Sequence, residues 1–376
     1  MAIVSQKPRI LHLTHDMGVG GTEQVISQLL SNLDQDKFTC EVGCIDGFVG
    51  LLGEKLKSAG TEFHVFNRRP GFDLALVKAI RKTLQEGHFD AVHCHQYTPW
   101  VYGNLAALFT GVKVVFTEHG RFHPDTWSWK RRMVNPVLGW FTHSIVAISA
   151  ATARALAQYE WFSKKQIEVI YNGLEPSGIA GSQRETRHRL GIPEGARVFG
   201  TIARFDPIKN IPMMINAFRK VNEINPETRL LLVGDGSERN MLETMVSDAG
   251  LQEKVIFTGY QRDTAQFMSL IDIYLLTSYS EGTSMTLLEA MSSGTSCIVT
   301  RVGGNVEIIE HNFNGLVVDS DDTENLTHWM LELISNPHLG SKLGKEAVNV
   351  FNQRFSVDTM AENYSNTYNR VLGITS

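Results

Sequence analysis

Cysteine is scarce: there are four in 376 residues, Cys40, Cys44, Cys94 and Cys297, and no two form a C-x-x-C pair. That usage supplies neither a disulfide framework nor a zinc ribbon, and a reducing compartment is the simple reading. Long apolar runs are missing too; none approaches the roughly 20 residues of a membrane-spanning helix. The opening Met1-Ala-Ile-Val-Ser-Gln-Lys-Pro8 has no apolar core of the kind a secretory signal carries, so a cytoplasmic location is expected. Positive charge is not in excess. The net charge is −5, which argues against a nucleic-acid partner. Short-period repeats and low-complexity tracts are absent. What is present, 43% hydrophobic and 20% charged residues, is the balance of a soluble globular enzyme, with length for two domains of ordinary size.

Two sets of alternating strand and helix patterns run along the chain. Strand-length apolar runs in residues 1–174 are Ile10–Leu13, Cys40–Ile45, Phe63–Phe66, Ala91–His95, Val112–Thr117, Ile145–Ser149 and Ile167–Tyr171. Helical periodicity falls between them, as in Val25-Ile26-Leu29-Leu30-Leu33 and Leu74-Val77-Ile80-Leu84. Residues 175–196 interrupt the alternation. Glu175-Pro-Ser-Gly-Ile-Ala-Gly-Ser182 reads as a linker, followed by a short helix at Glu185–Leu190. The second set, 197–355, predicts strands at Val198–Ala203, Leu230–Val233, Val255–Gly259, Ile273–Thr277, Ser296–Thr300 and Leu316–Val318, and the tail ends in a helix near Asp358–Val371. Such alternation predicts an α/β fold, two doubly wound parallel sheets covered by helices on both faces. Ligands of such sheets bind at the carboxyl ends of the strands, and two halves leave a cleft between them as the expected site.

The densest chemistry lies in Ser278-Tyr-Ser-Glu281-Gly282-Thr283-Ser284-Met285-Thr-Leu-Leu-Glu289-Ala-Met-Ser-Ser-Gly294. A strand enters it, a glycine turn follows, and Thr283 or Ser284 offers an oxygen to cap a helix that ends near Gly294. A capped helix start presents free N–H groups and attracts phosphate. Glu281 in the turn and Glu289 in the helix are eight positions apart, so they reach different parts of one extended ligand. Arg204-Phe-Asp-Pro-Ile-Lys209 places two cations after the first strand of the second half, where they suit a diphosphate; incidental charge on a solvated loop is the competing reading. Val302-Gly303-Gly304-Asn305-Val-Glu307 adds a second glycine turn on the next βα loop.

Several first-half motifs admit two readings. Gly18-Val-Gly20-Gly21-Thr-Glu23 resembles a phosphate-binding turn but has Glu23 where the dinucleotide fingerprint has its third glycine; Glu41 and Asp46 stand near a ribose-binding position. A βα turn that binds nothing fits equally. His119 ends a strand, where it could bind a sugar hydroxyl or stabilise charge, or simply pack in the core. His93 and His95 share a strand face, but a metal lacks further ligands. Asp34-Gln-Asp36 and Asp319-Ser-Asp321 match the short Asp-x-Asp pattern of metal-dependent sugar transfer, and the pattern is too short to carry weight. Trp127–Phe141 is aromatic and basic. The simpler reading is a helix over the sheet with Trp140 buried, broken at Pro136; the alternative is peripheral contact of 127–141 with an anionic membrane.

Taken as an ordered string, Gly20-Gly21-Thr-Glu23, His119, Val169–Gly173, Arg204 with Lys209, Val233–Gly236, Val255–Tyr260, Glu281/Glu289 and Gly303-Gly304-x-x-Glu307 resemble a large glycosyltransferase family. This is the retaining, GT-B, family 4-like set called glycosyl transferases group 1, and the resemblance covers nearly the full length. It implies a GT-B fold of two Rossmann-like domains facing a central cleft, with helix 356–376 crossing back onto the first domain. It also implies roles. Glu289 would hold the ribose, Glu281 the donor-sugar hydroxyls, and Arg204 and Lys209 the diphosphate. Groups around Thr283, Ser284 and Met285 would touch sugar and phosphate, and Tyr260 would lie near the base. Gly20, Gly21 and His119 would complete the site. The expected partners are a nucleotide-sugar donor, a UDP-sugar ahead of a GDP-sugar, and a glycan or lipid-linked acceptor in surface polysaccharide synthesis. Neither a cofactor nor a metal is expected. Many relatives carry Phe-Gly or a proline where Thr283-Ser284 stands, and proline-valine at Ser296-Cys297; those departures bear on donor-sugar preference. Other readings of the frame are a nucleotide-sugar epimerase or phosphorylase, a dehydrogenase using the Gly18 turn, and a non-catalytic partner subunit.

Overall fold

The computed structural model describes residues 7–120, 127–176 and 182–374. The start of the leader reading, residues 1–6, and the middle of the expected linker, 177–181, lie outside the described residues. The chain divides into two compact units, Met1–Gly173 with Val357–Ser376, and Leu174–Ser356.

Among the described residues the first unit holds seven parallel strands: β1 Arg9–Thr14, β2 Thr39–Cys44, β3 Phe63–Val65, β4 Ala91–His95, β5 Lys113–Glu118, β6 Ser144–Ala147 and β7 Ile167–Val169. Their order is β3-β2-β1-β4-β5-β6-β7, so the winding reverses between β1 and β4. β4 is wholly buried and β1 nearly so, as expected when helices cover both faces of a parallel sheet. The helix Gly21–Asn32 contributes Val25, Ile26, Leu29 and Leu30 to this burial. Each such side chain contributes about 1.5–3 kcal/mol when fully covered.

The last helix, Val357–Leu372, belongs to this unit. Besides burying Met360 and Ala361, it docks on a polar row. His12 on β1 is register-paired with His93 on β4, and His95 with Thr117 on β5. Residues paired this way in a parallel sheet share a face, so the four side chains form one line. His93 Nδ1 meets the Tyr368 hydroxyl at 2.7 Å and its Nε2 meets Thr117 Oγ1 at 2.7 Å, while Thr117 Oγ1 lies 3.2 Å from the Tyr364 hydroxyl. At the helix end, Thr367 Oγ1 donates to Glu168 at 3.1 Å, and Arg370 pairs with the same carboxylate.

The second unit holds six parallel strands: β8 Arg197–Ile202, β9 Thr228–Val233, β10 Val255–Phe257, β11 Ile273–Leu276, β12 Ser296–Thr300 and β13 Leu316–Val318, in the order β10-β9-β8-β11-β12-β13. Its core gathers Phe199, Phe218, Leu230, Leu232, Leu275 and Ile298 under the helices. Residues 182–196, expected as the end of a linker, are built into this unit instead. The helix Gln183–Arg189 is capped by Ser182, and Gln183 Nε2 donates to the Ser269 carbonyl at 2.8 Å. Ile192 and Ala196 are buried. The turn residues that suggested a linker end at Ser182; beyond it a helix start and two apolar anchors tie the segment down.

Among the described residues no helix is long and apolar enough to cross a membrane. The helix Trp129–Trp140 continues through Pro136, contrary to the expected break. Proline forfeits one hydrogen bond there, and buried Asn135 compensates by donating to Glu160 Oε2 at 2.8 Å and accepting from the Tyr97 hydroxyl at 2.7 Å. Trp140, expected inside, is 85% exposed, because Leu138 and Gly139 occupy the inward face.

Burial pushes His12 down to about 3 and holds His93 and His95 well below their ordinary 6.5, the neighbouring imidazoles adding to the effect in the latter two. The unfolded chain takes up these protons below its ordinary value near 6.5, whereas the folded state refuses them until far lower. Stability is therefore full above about pH 6.5 and is lost as pH falls through that value toward 3. Each group adds a slope of up to ~1.4 kcal/mol per pH unit. The apparent Tm by calorimetry is expected to drop steadily between about pH 6.5 and about pH 5; a flat profile would contradict neutral, buried imidazoles.

Candidate active site

Strands β8, β11 and β12 are neighbours in the second sheet, so the loops that follow them meet at one carboxyl edge. The β11 loop, Thr277–Ser284, is held from both sides. Thr277 Oγ1 donates to the carbonyls of Lys209 (3.1 Å) and Asn210 (2.9 Å), and Tyr279 N–H donates to the Ile208 carbonyl at 2.8 Å. From the β12 side, Thr300 Oγ1 donates to the Ser278 carbonyl at 2.6 Å and Gly304 N–H to the Glu281 carbonyl at 2.9 Å. Gly303, at φ +48, lies so close that a Cβ there would overlap the Glu281 carbonyl oxygen. Glycine is required here by contact as well as by conformation.

This framework brings Lys209 and Glu281 together. Lys209 Nζ donates to Glu281 Oε1 at 2.6 Å, and Ser278 Oγ donates to the same oxygen at 2.6 Å. The ammonium is partly exposed, so the pair sits at the surface of the site. Asn210, left-handed at φ +46, turns the chain out of the Pro207–Lys209 turn into the helix Ile211–Ile224. Its amide donates to Asp321 Oδ1 at 3.0 Å, which also accepts from the Tyr279 hydroxyl at 2.7 Å. Bonding to Asp321 raises the Tyr279 hydroxyl above its ordinary range. Asp319 pairs with Arg301 at 2.8 Å. Asp319 and Asp321 therefore serve the loop framework.

Ser284 caps the helix Met285–Ser292, its Oγ accepting from Leu287 N–H at 3.4 Å; Gly294, at φ +72, follows the helix end. Thr283, Ser284 and Met285 are buried. Glu289 is buried one turn into the helix, with Thr264 Oγ1 donating to its Oε2 at 3.4 Å. The two carboxylates thus point to different neighbours, Glu281 toward the β8 loop and Glu289 toward the loop before Ala265–Met268. Arg204 shares a loop with Lys209, but its guanidinium is exposed and pairs with Asp206. Tyr260 is exposed, just beyond Gly259.

The β8 loop has a second support absent from the sequence reading of the site. Phe205 N–H donates to the Asp235 carbonyl at 2.8 Å and Glu238 N–H to the Phe205 carbonyl at 2.9 Å. A Cβ on Gly234 would strike the Ala203 carbonyl, and one on Gly236 the Phe205 backbone. The glycine spacing in Gly234-Asp-Gly236 was the available signal. Ser278, Thr277 and Asn210 were not singled out, because nothing local distinguishes them from ordinary turn residues.

In the first unit, Gly20 is the N-cap of the helix Gly21–Asn32, with no side-chain cap. The Glu23 carboxylate folds back onto the Gly20 turn, and burial raises it above the usual carboxylate range. That places an acid where a dinucleotide turn would hold phosphate, which disfavours the dehydrogenase reading. Glu41 and Asp46, considered for a ribose, are engaged by Arg9 with His64, and by His15 with Arg68, respectively. His119 is half-buried at the end of β5, its Nε2 at 2.8 Å from His95 Nδ1. Burial pushes it down to about 3, so it is a neutral hydrogen-bonding group rather than a cation. His12, passed over in the apolar run Ile10–Leu13, completes a group with His93 and His95 whose ring nitrogens lie within 4.8 Å of one another. Only the strand order reveals that neighbour.

Replacing Gly303 by alanine is expected to push the Glu281 turn off the β12 loop and to cost about 1–3 kcal/mol, the range for forcing atoms into a packed site. The urea midpoint would report it, and an unchanged midpoint would contradict the close approach.

Residues 182–350 match the family model "Glycosyl transferases group 1" and residues 19–177 match "Glycosyltransferase Family 4". Among curated relatives, N-acetyl-alpha-D-glucosaminyl L-malate synthase of Bacillus anthracis is 27% identical over 318 residues, covering 83% of this chain and 82% of that protein. The UDP-Gal:alpha-D-GlcNAc-diphosphoundecaprenol alpha-1,3-galactosyltransferase of Escherichia coli is 25% identical, covering 97% of this chain and 98% of that one. Among solved structures, Anabaena Alr3699/HepE in complex with UDP and glucose superposes with a TM-score of 0.82 at 23% identity, covering 96% of this chain and 98% of the other, which supports the GT-B fold. With its two halves matched in order by the two models, and its curated relatives glycosyltransferases over most of their length, the chain belongs to the group 1, family 4-like glycosyltransferases.

Proposed function

We propose that this glycosyltransferase moves a sugar from a UDP-sugar to a glycan or lipid-linked acceptor, with retention of configuration and without a metal, in surface polysaccharide synthesis. The observation that carries the reading is the Lys209–Glu281 pair, fixed by backbone contacts beside the start of the helix Met285–Ser292. Breaking a sugar–phosphate bond builds negative charge on the departing diphosphate. An ammonium held in place, a helix N-terminus and the exposed guanidinium of Arg204 can stabilise that charge where it develops. Glu281 holds Lys209 in position and offers its second oxygen to a donor-sugar hydroxyl. Glu289 takes the ribose hydroxyls, and Tyr260 lies near the base. Thr283, Ser284 and Met285 line the phosphate and sugar. Gly20, Gly21 and His119 are assigned ligand contacts by the family resemblance.

Support for uridine comes from the galactosyltransferase relative, whose name specifies UDP-Gal, and from the UDP complex of the Anabaena structure. The name of the same relative specifies a diphosphoundecaprenol-linked sugar, which favours a lipid-linked acceptor at a membrane surface. The helix Trp129–Trp140 suits that location. Trp129, Met133, Val137 and Trp140 are exposed, with Lys130 and Arg132 exposed among them. Apolar rings interleaved with cations match an anionic bilayer surface.

A thermal-shift panel of UDP-, GDP- and ADP-sugars is expected to single out one UDP-sugar, since a ligand at about 100 times its Kd stabilises by ~2.7 kcal/mol. With that donor, Lys209→Ala is expected to lower kcat about 10²–10³-fold while the Tm holds. Near-normal turnover would end the diphosphate assignment, and NMR of the product must show the donor's anomeric configuration. Separately, the protein is expected to co-sediment with vesicles rich in anionic phospholipid in a salt-sensitive way, and the double variant Trp129→Glu, Trp140→Glu to stay in solution. Equal sedimentation of both proteins would remove the membrane contact.

A further inference from the structure

The winding of the first sheet reverses between β1 and β4, and doubly wound sheets bind ligands in the crevice that such a reversal leaves at the carboxyl edge. Two half-buried polar side chains meet there. Thr22 belongs to the helix that follows β1, and Gln96 is the first residue after β4. Gln96 Nε2 donates to Thr22 Oγ1 at 3.0 Å. The backbone of Gln96 is an outlier. At φ +71 and ψ 167 it occupies a region nearly confined to glycine. It is held there from both sides, its N–H donating to the Thr117 carbonyl at 2.9 Å and its carbonyl accepting from Trp100 N–H at 3.2 Å. A residue needed only to turn the chain from β4 into the helix Tyr97–Ala107 would do so with less strain as glycine. The position carries a carboxamide instead, and strain kept at a ligand edge points to a role for the side chain.

The pair has a definite chemistry. As bonded, Gln96 keeps its carbonyl oxygen as an acceptor and Thr22 keeps its O–H as a donor. With the amide turned over, Thr22 donates to the carbonyl oxygen, and the pair keeps an amide N–H donor and a hydroxyl lone pair. Either way one donor and one acceptor remain side by side, and neither side chain has another partner among the described residues. A hydroxyl group is itself one donor and one acceptor, so it can engage both. A phosphate or carboxylate brings acceptors alone and matches half of the pair. We propose that Gln96 and Thr22 form a subsite on the first unit that takes a hydroxyl of the acceptor glycan. The inference rests on the function proposed above for the acceptor being a sugar, and it involves residues of the first unit only.

The test is saturation-transfer NMR of the full chain, with UDP in excess, against the methyl α-glycosides of glucose, galactose, mannose and N-acetylglucosamine. The wild type is expected to bind at least one of them. Gln96→Gly and Thr22→Val are each expected to weaken that binding about tenfold, the loss of one hydrogen bond beside a partner left unpaired. Thr22→Ser keeps the hydroxyl and is expected to bind as the wild type does. Gln96→Gly also separates the two roles of the residue, because glycine suits the backbone there: its Tm is expected to hold or rise, and the Tm shift produced by UDP to stay the same. No saturation of any glycoside by the wild type, or an undiminished signal in Gln96→Gly, would overturn the proposal. So would a lower Tm in Gln96→Gly, which marks a side chain serving the fold. The wild-type spectrum needs no variant, so a substitution that fails to fold leaves the test standing. If the glycosides behave as stated while UDP neither binds nor shifts the Tm, the subsite holds and the nucleotide-sugar reading fails.

Discussion

The Glu281 turn exists because two backbones approach closer than any side chain would allow. Gly303 leaves room for the Glu281 carbonyl, and Gly304 gives it an N–H. On the other side, the Thr277 hydroxyl and the Tyr279 N–H tie the same turn to the carbonyls of Ile208, Lys209 and Asn210. The ion pair between Lys209 and Glu281 is the product of that framework, not its cause. A partly exposed pair contributes little to stability by itself. Its effect is to hold one ammonium at a fixed place on the carboxyl edge of the sheet.

A similar device supports the neighbouring β8 loop. Gly234 and Gly236 let the β9 loop press against Ala203 and Phe205, and the Asp235 carbonyl takes the Phe205 N–H. Three consecutive positions along the sheet edge, after β9, β8 and β11, with β12 beyond, are thus joined by main-chain contacts. Gly234, Gly236 and Gly303 thus serve close backbone contact between neighbouring loops. The first unit works differently. Its polar row is made of neutral imidazoles and hydroxyls, and the last helix closes it by pairing Tyr368 with His93 and Tyr364 with Thr117. Polar groups sealed from water must find partners in one another, and the row meets that demand at all but its two ends.

All thirteen strands were legible, because a buried parallel strand is a short apolar run between helical periods. Val198–Ala203 is displaced by one residue from β8, and Val255–Gly259 runs two residues past β10, where Gly259 makes only an isolated bridge to Gly234. The Ser284 cap and Gly294 stop were legible as well, as local chemistry usually is. Three expectations fail for tertiary reasons, the first being the break at Pro136, through which the helix Trp129–Trp140 continues. Trp140 is expected inside as part of a helix over the sheet, but the helix Trp129–Trp140 turns Asn135, Leu138 and Gly139 inward, and Asn135 finds Glu160 and Tyr97 there. The segment 182–196 is expected as the end of a linker with a short helix at Glu185–Leu190; the helix forms, at Gln183–Arg189, but Ile192 and Ala196 are buried in the second unit.

By itself the sequence determined the two alternating halves, the glycine turns, the cations and the carboxylates, because periodicity and turn chemistry act over a few neighbouring residues. Which loops become adjacent was decided by strand order. Residues 209, 281 and 303 come together only because β8, β11 and β12 lie side by side, and His12 reaches His93 and His95 only because β1 pairs with β4. That pairing depends on long-range hydrogen bonding between strands far apart in the chain, which leaves no mark in the residues next to any one of them.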